Sequence, residues 1–173
     1  MVLGMSLSIL TLLHVIISLA GIGSGFIVMY GMLNGKRFDG WTAIFLATTV
    51  LTSVTGFLFP FERLLPAHIL GVLSLIVLAV AIWARYGGRL AGSSRWIYVV
   101  TAALALYFNC FVAAVQAFEK IPALRAFAPT QKEPPFMVAQ LVVLALFIWL
   151  TVLAAKRFRV ESPMLRRAAD AGR

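Results

Sequence analysis

The sequence predicts an all-α integral membrane protein: five transmembrane helices, the amino terminus outside, the carboxyl terminus cytoplasmic, and a short amphipathic surface helix between helices 4 and 5. Three observations predict it. Hydrophobic residues fill 62% of 173 positions and charged residues only 12%, against near 25% charged in soluble domains. The apolar residues fall in five runs punctuated by charges, prolines and glycines. The basic residues are shared unequally between the two sets of run ends.

The first run, Val2 to Leu33, would be about 48 Å long as a helix, more than one bilayer crossing needs. Asn34-Gly35-Lys36-Arg37 fixes its end. About 20 residues back from Leu33 the opposite boundary falls near His14. Val2 to Leu13 then lies along the outer interface or extends the helix beyond the hydrocarbon. Ser18-Leu19-Ala20 resembles a signal-peptidase site, but no Lys or Arg precedes it, so the segment is read as uncleaved. Gly21 and Gly25 stand four apart, the spacing that admits close helix packing.

The second run, Trp41 to Pro60, is dense in hydroxyls. Thr48, Thr52 and Thr55 share one helical face, and Thr49, Ser53 and Gly56 line the adjoining one. In lipid such residues bond backbone carbonyls or neighbouring helices. The third run carries no formal charge from Pro66 to Ala84, about 28 Å of helix. Pro66 suits a first turn, Trp83 and Tyr86 an aromatic belt, and Arg85 the far boundary.

The fourth run, Trp96 to Phe118, follows a basic, glycine-rich loop and carries Tyr107, Asn109 and Cys110 near its centre. An amide at mid-membrane needs a partner, so Asn109 is expected to face the hydroxyl helix. The connection from Glu119 to Pro135 is broken by prolines, yet Ile121, Leu124 and Phe127 recur at helical spacing. That pattern predicts one or two amphipathic turns on the membrane surface. The fifth run, Phe136 to Ala155, stops at Lys156-Arg157-Phe158-Arg159. Ser162-Pro163 then reads as the N-cap and first turn of a short basic helix over Met164 to Ala169. The chain divides into a transmembrane domain, 1–159, and a short basic cytoplasmic tail, 160–173.

Charge sets the orientation. Five spans put the termini on opposite sides. The amino-terminal side holds four basic residues, Arg63, Lys120, Arg125 and Lys132, and the other side holds eleven. The positive-inside rule makes the richer side cytoplasmic, and a cell inner membrane is the simplest host. The net charge of +9 is a topology signal and an attraction to anionic headgroups at the cytoplasmic face, which leaves nucleic acid without a role.

The chemistry the sequence excludes is informative. No carboxylate, lysine or arginine falls clearly inside a run, where ion-coupled carriers keep one. No Gly-x-Ser-x-Gly, His-Glu-x-x-His or paired carboxylates appear, so no catalytic residue is assigned. One cysteine, Cys110, forms no internal disulfide.

The two histidines, His14 and His68, lie at matching depth on the first and third helices, which run the same way and can be diagonal across a bundle. This geometry is similar to that of b-type cytochromes, whose haem irons take histidines from two parallel helices. The likeness implies haem b as a candidate cofactor, His14 and His68 as its metal ligands, Gly21 and Gly71 as room for the macrocycle, and Arg63 as a propionate partner. The leading expectation is a non-catalytic subunit or assembly partner of a larger membrane complex. The alternatives are a single-haem or quinone electron-transfer protein, and a small-solute carrier or channel whose path runs through the polar cluster Thr48, Thr52, Thr55, Tyr107 and Asn109.

Overall fold

Ser6 opens the first helix as a side-chain cap: its hydroxyl accepts the backbone N–H of Ile9 at 3.3 Å, pairing a donor that the first turn would leave orphaned. The computed structural model describes residues 6–59 and 66–158, and every regular element in them is helical. Helix α1 spans Leu7–Leu33, α2 Asp39–Gly56, α3 Pro66–Ile82, α4 Ser93–Lys120, α5 Pro122–Phe127 and α6 Pro134–Arg157. A π-helical turn, Trp83–Gly87, continues α3. Arg63 and the tail beyond Phe158 lie outside the described residues.

Among the described residues, four helices are long and apolar enough to cross a membrane: α1, α3 with its π turn, α4 and α6. They mark a multi-pass membrane protein. Helix α1 runs unbroken for 27 residues, about 40 Å, so Leu7 to Leu13 extends the helix beyond His14. Helix α2 stands apart from the four. Its hydroxyls and Asp39 dilute its apolar character.

Prolines and glycines place the breaks. Pro122 opens α5 and Pro134-Pro135 open α6, where a missing N–H costs nothing. Gly35 leaves α1 at φ +66° and Gly92 precedes α4 at φ +50°, a region open to glycine at little cost. The short helix expected between the last two long helices is α5, with Ile121 at its N-cap and Phe127 at its end both exposed.

Helices α1, α2, α3 and α4 form a ring in which each packs on its chain neighbour and α4 closes back on α1. Helices α1 and α3 are therefore diagonal. Helix α6 lies against both α4 and α1. One buried cluster runs from the end of α1 into the first half of α4: Met29, Met32, Phe45, Leu78, Ala81, Tyr98, Ala102, Leu106 and Phe158. Small residues on α4, Ala102, Ala103 and Ala105, let neighbouring helices approach closely. Gly25 serves the same end, because a Cβ there would stand 2.5 Å from Leu106 Cδ1 and 2.9 Å from Phe45 Cε2.

Candidate functional site

Helix α2 carries two hydroxyl faces, and each serves a different seam. Thr42, Phe45, Leu46, Thr49 and Ser53 are its buried residues, spaced as one helical stripe. From that stripe Thr49 Oγ1 accepts the Asn109 amide of α4 at 3.2 Å. One turn on, Ser53 donates to Ser74 of α3 at 3.1 Å. The adjoining face meets α1. A Cβ on Gly21 would stand 3.3 Å from Thr48 Oγ1 and 3.4 Å from both Thr49 Oγ1 and Asn109 Nδ2. Gly21 thus closes directly over the polar cluster.

Asn109 faces the hydroxyl helix through Thr49. Thr49 takes Asn109 because it is in phase with the apolar anchors Phe45 and Leu46. Thr48 and Thr55 return their protons to the Ile44 and Leu51 carbonyls, each at 2.7 Å, a common use of hydroxyls in helices. The Thr52 hydroxyl oxygen is buried with no hydrogen-bond partner among the described residues. Tyr107 is absent from the cluster. Two residues from Asn109, it faces another way and packs between Phe111 and Phe147 at 6.1 and 5.7 Å.

His14 and His68 each meet a ring of the turn that ends α2. His14 Nδ1 lies 2.8 Å from Thr55 Oγ1, and its ring meets Phe59 edge-on at 5.3 Å. Thr55 Oγ1 also lies 2.7 Å from the Leu51 carbonyl; where its proton goes there, His14 Nδ1 is the donor to Thr55 and Nε2 keeps a lone pair. His68 is buried, with the Phe57 ring at 5.8 Å. Phe57 also fills the space beside Gly71, where a Cβ would stand 3.0 Å from Cζ of that ring. At Gly21 and Gly71, where room for a macrocycle was expected, the nearest side chains are Thr48, Thr49 and Asn109 at the first and Phe57 at the second.

At the opposite end is a charged pair that the sequence reading missed. The Arg85 guanidinium bonds the Asp39 carboxylate at the start of α2, lies over the Tyr98 ring at 5.4 Å, and is almost wholly buried. Tyr98 in turn reaches Thr42 at 3.4 Å. Arg85 stands two residues from the end of its span, and its burial follows from phase: His68, Gly71, Ser74, Leu78, Ala81 and Arg85 fall on one stripe at helical spacing. That phase was the available signal. Nearby, Arg95 donates to the Phe158 carbonyl and stacks on Trp96 at 4.7 Å, tying the end of α6 to the start of α4.

Among the described residues no group of three or more His, Cys, Asp or Glu side chains could hold a metal ion. The polar groups named here pair mainly with one another across helix seams. The class defined by fold and site is a multi-pass helical-bundle membrane protein. No family model, no curated protein and no solved structure matches the chain.

Proposed function

We propose that this protein is a five-span inner-membrane component without catalysis of its own, a subunit or assembly partner of a larger membrane complex. The observation that carries the reading is α6. Only 6% of its most apolar window is buried within the chain, against 28% to 33% for the other three long helices. Met137, Leu141, Ile148 and Trp149 turn outward from it, a broad apolar face available to another span. Helix α2 is the proposed fifth crossing: its 18 residues reach about 27 Å, and it packs along α1 and α3. The excess of basic residues at the Arg85 end supports a cytoplasmic carboxyl terminus and contact with anionic headgroups there.

Crosslinking from defined positions tests this. In a Cys110→Ser background, Leu141→Cys or Trp149→Cys on α6 should give a protein adduct of one discrete mass in native membranes. The same chemistry at Leu12→Cys on α1 should give none. Adducts absent at α6, or equal at both sites, would refute the assembly reading.

A second reading has one specific observation behind it. In the tautomer that gives Nδ1–H to Thr55, Nε2 keeps the lone pair that a metal-ligating histidine offers. His14 and His68 would hold a single b-type haem, which would supply one-electron transfer when bound. That reading requires Phe57 to leave Gly71. A solute path through the α2 hydroxyls has less support, because Gly21, Thr49 and Asn109 are in direct contact.

A further inference from the structure

At the end of α4 remote from Arg85, the chain folds back through α5 and a turn and leaves a polar cleft of about 480 Å³. Lys120, Arg125, Glu119 and Gln131 line it. We propose that this cleft binds the headgroup of an ethanolamine phospholipid.

Depth is the first argument. Phe127, the last residue of α5, is 67% exposed, and Ile121 just before α5 is 47% exposed. Both adjoin the end of a helix long and apolar enough to cross a bilayer. Apolar side chains so placed belong in the interfacial zone, so the cleft beside them opens at the level of lipid phosphates.

Charge and hydrogen bonding are the second. Lys120 and Arg125 offer donors to a phosphodiester. Among the described residues neither has an ion-pair partner. The cleft also presents acceptors. Glu119 receives the Gln116 amide on one oxygen at 3.3 Å, which leaves carboxylate lone pairs free. Gln131 spends its amide N–H on the Val115 carbonyl at 3.1 Å, leaving its own carbonyl oxygen as an acceptor. Glu133, by contrast, is consumed by Thr130 and the Lys132 backbone. Two cations beside a carboxylate and an amide carbonyl match a headgroup carrying a phosphate and an ammonium with three N–H donors. A choline headgroup has the same charges and no N–H donor. A glycerol headgroup lacks the positive charge.

Native mass spectrometry of the full chain, after exchange into detergent with equal amounts of phosphatidylethanolamine, phosphatidylcholine and phosphatidylglycerol, tests the assignment. The wild type should retain one ethanolamine lipid preferentially, and Lys120→Gln/Arg125→Gln should lose it at an unchanged melting temperature. Glu119→Gln should keep phospholipid binding and lose about tenfold of the preference for ethanolamine over choline, the worth of one charged hydrogen bond. Should the double variant not fold, the Glu119→Gln preference decides alone. Retention of choline or glycerol lipid at the level of ethanolamine lipid, or displacement by inorganic phosphate without headgroup discrimination, overturns the proposal.

Discussion

The Arg85 guanidinium, with 4% of its side chain exposed, is paired to the Asp39 carboxylate, 73% exposed, across the seam between α3 and α2. The pair joins the π turn to the first turn of α2, and Tyr98 covers the guanidinium. The charge of Asp39 also suits a helix start. An arginine this deep needs its partner, because a buried charge left alone is costly.

Asp39→Ala should therefore destabilise the bundle by about 1.5–3 kcal/mol, read as a lower unfolding midpoint in detergent. Arg37, 3.9 Å from the same carboxylate and 42% exposed, is the control. Its alanine variant should cost less than about 0.5 kcal/mol. Equal losses from the two would show that the burial of Arg85 has no energetic weight.

Asn109 and Thr49 should be coupled. A double-mutant cycle of Asn109→Ala and Thr49→Val is expected to give about 0.6 kcal/mol and no more than about 1.7, the mean and maximum of interhelix polar pairs in such cycles. The same cycle with Thr48→Val should give little, since the Thr48 hydroxyl is spent on Ile44 and Phe45 carbonyls. The reverse ranking would show that Asn109 couples to the Thr48 face instead.

The turn before α6 should respond to acid. Partial desolvation pushes the Glu133 carboxyl up, but hydrogen bonds from the Thr130 side chain and from backbone N–H groups outweigh it and hold the group below the usual carboxylate range. A carboxyl so depressed favours the folded turn above its ordinary titration range. The contribution fades as pH falls through that range toward the lowered folded value. Amide exchange at Thr130 and Lys132, both bonded to Glu133, should quicken on acidification in wild type. In Glu133→Gln it should be fast and pH-independent after correction for intrinsic rates. An acid-insensitive wild type would contradict the assignment.

Gly25 should tolerate less than Gly21. An alanine at 25 must displace Leu106 and Phe45, whereas one at 21 meets neighbours no closer than 3.3 Å. The expected cost at Gly25 is about 1–3 kcal/mol of overpacking, with a smaller change at Gly21. Thermal unfolding of the two variants in one detergent makes the comparison.

Much of this architecture was legible from the apolar runs, because lipid forces their length and their ends. Lys36-Arg37, Pro122, Pro134 and Lys156 each fell where a helix turns or stops. What one sequence did not give was rotation about the helix axis. Thr48 and Thr49 lie 100° apart, and only the phase of Phe45 and Leu46 tells which of them faces Asn109. The burial of Arg85 was hidden for the same reason: a charge beside Trp83 and Tyr86 reads only as an interfacial anchor until Leu78 and Ala81 are counted in step with it. Phe57 was invisible as a cavity filler, since its contact with Gly71 joins α3 to the turn after α2.

The last prediction separates a structural His14 from a ligating one. If His14 acts through its hydrogen bond to Thr55, His14→Ala and Thr55→Val should each cost about 1–2 kcal/mol. The double variant should then cost little more than either alone, because both remove one interaction. Protein purified from haem-replete cells should show no Soret absorption. In the haem reading the pattern inverts: a Soret band is present, His14→Ala and His68→Ala each abolish it, and Thr55→Val shifts the midpoint potential by altering the imidazole that the iron feels. Phe57→Ala discriminates further. Removing the ring beside Gly71 costs packing in the structural reading and leaves the protein colourless, whereas a haem protein needing that space would gain cofactor occupancy. One absorption spectrum of the wild type with these four variants decides between them.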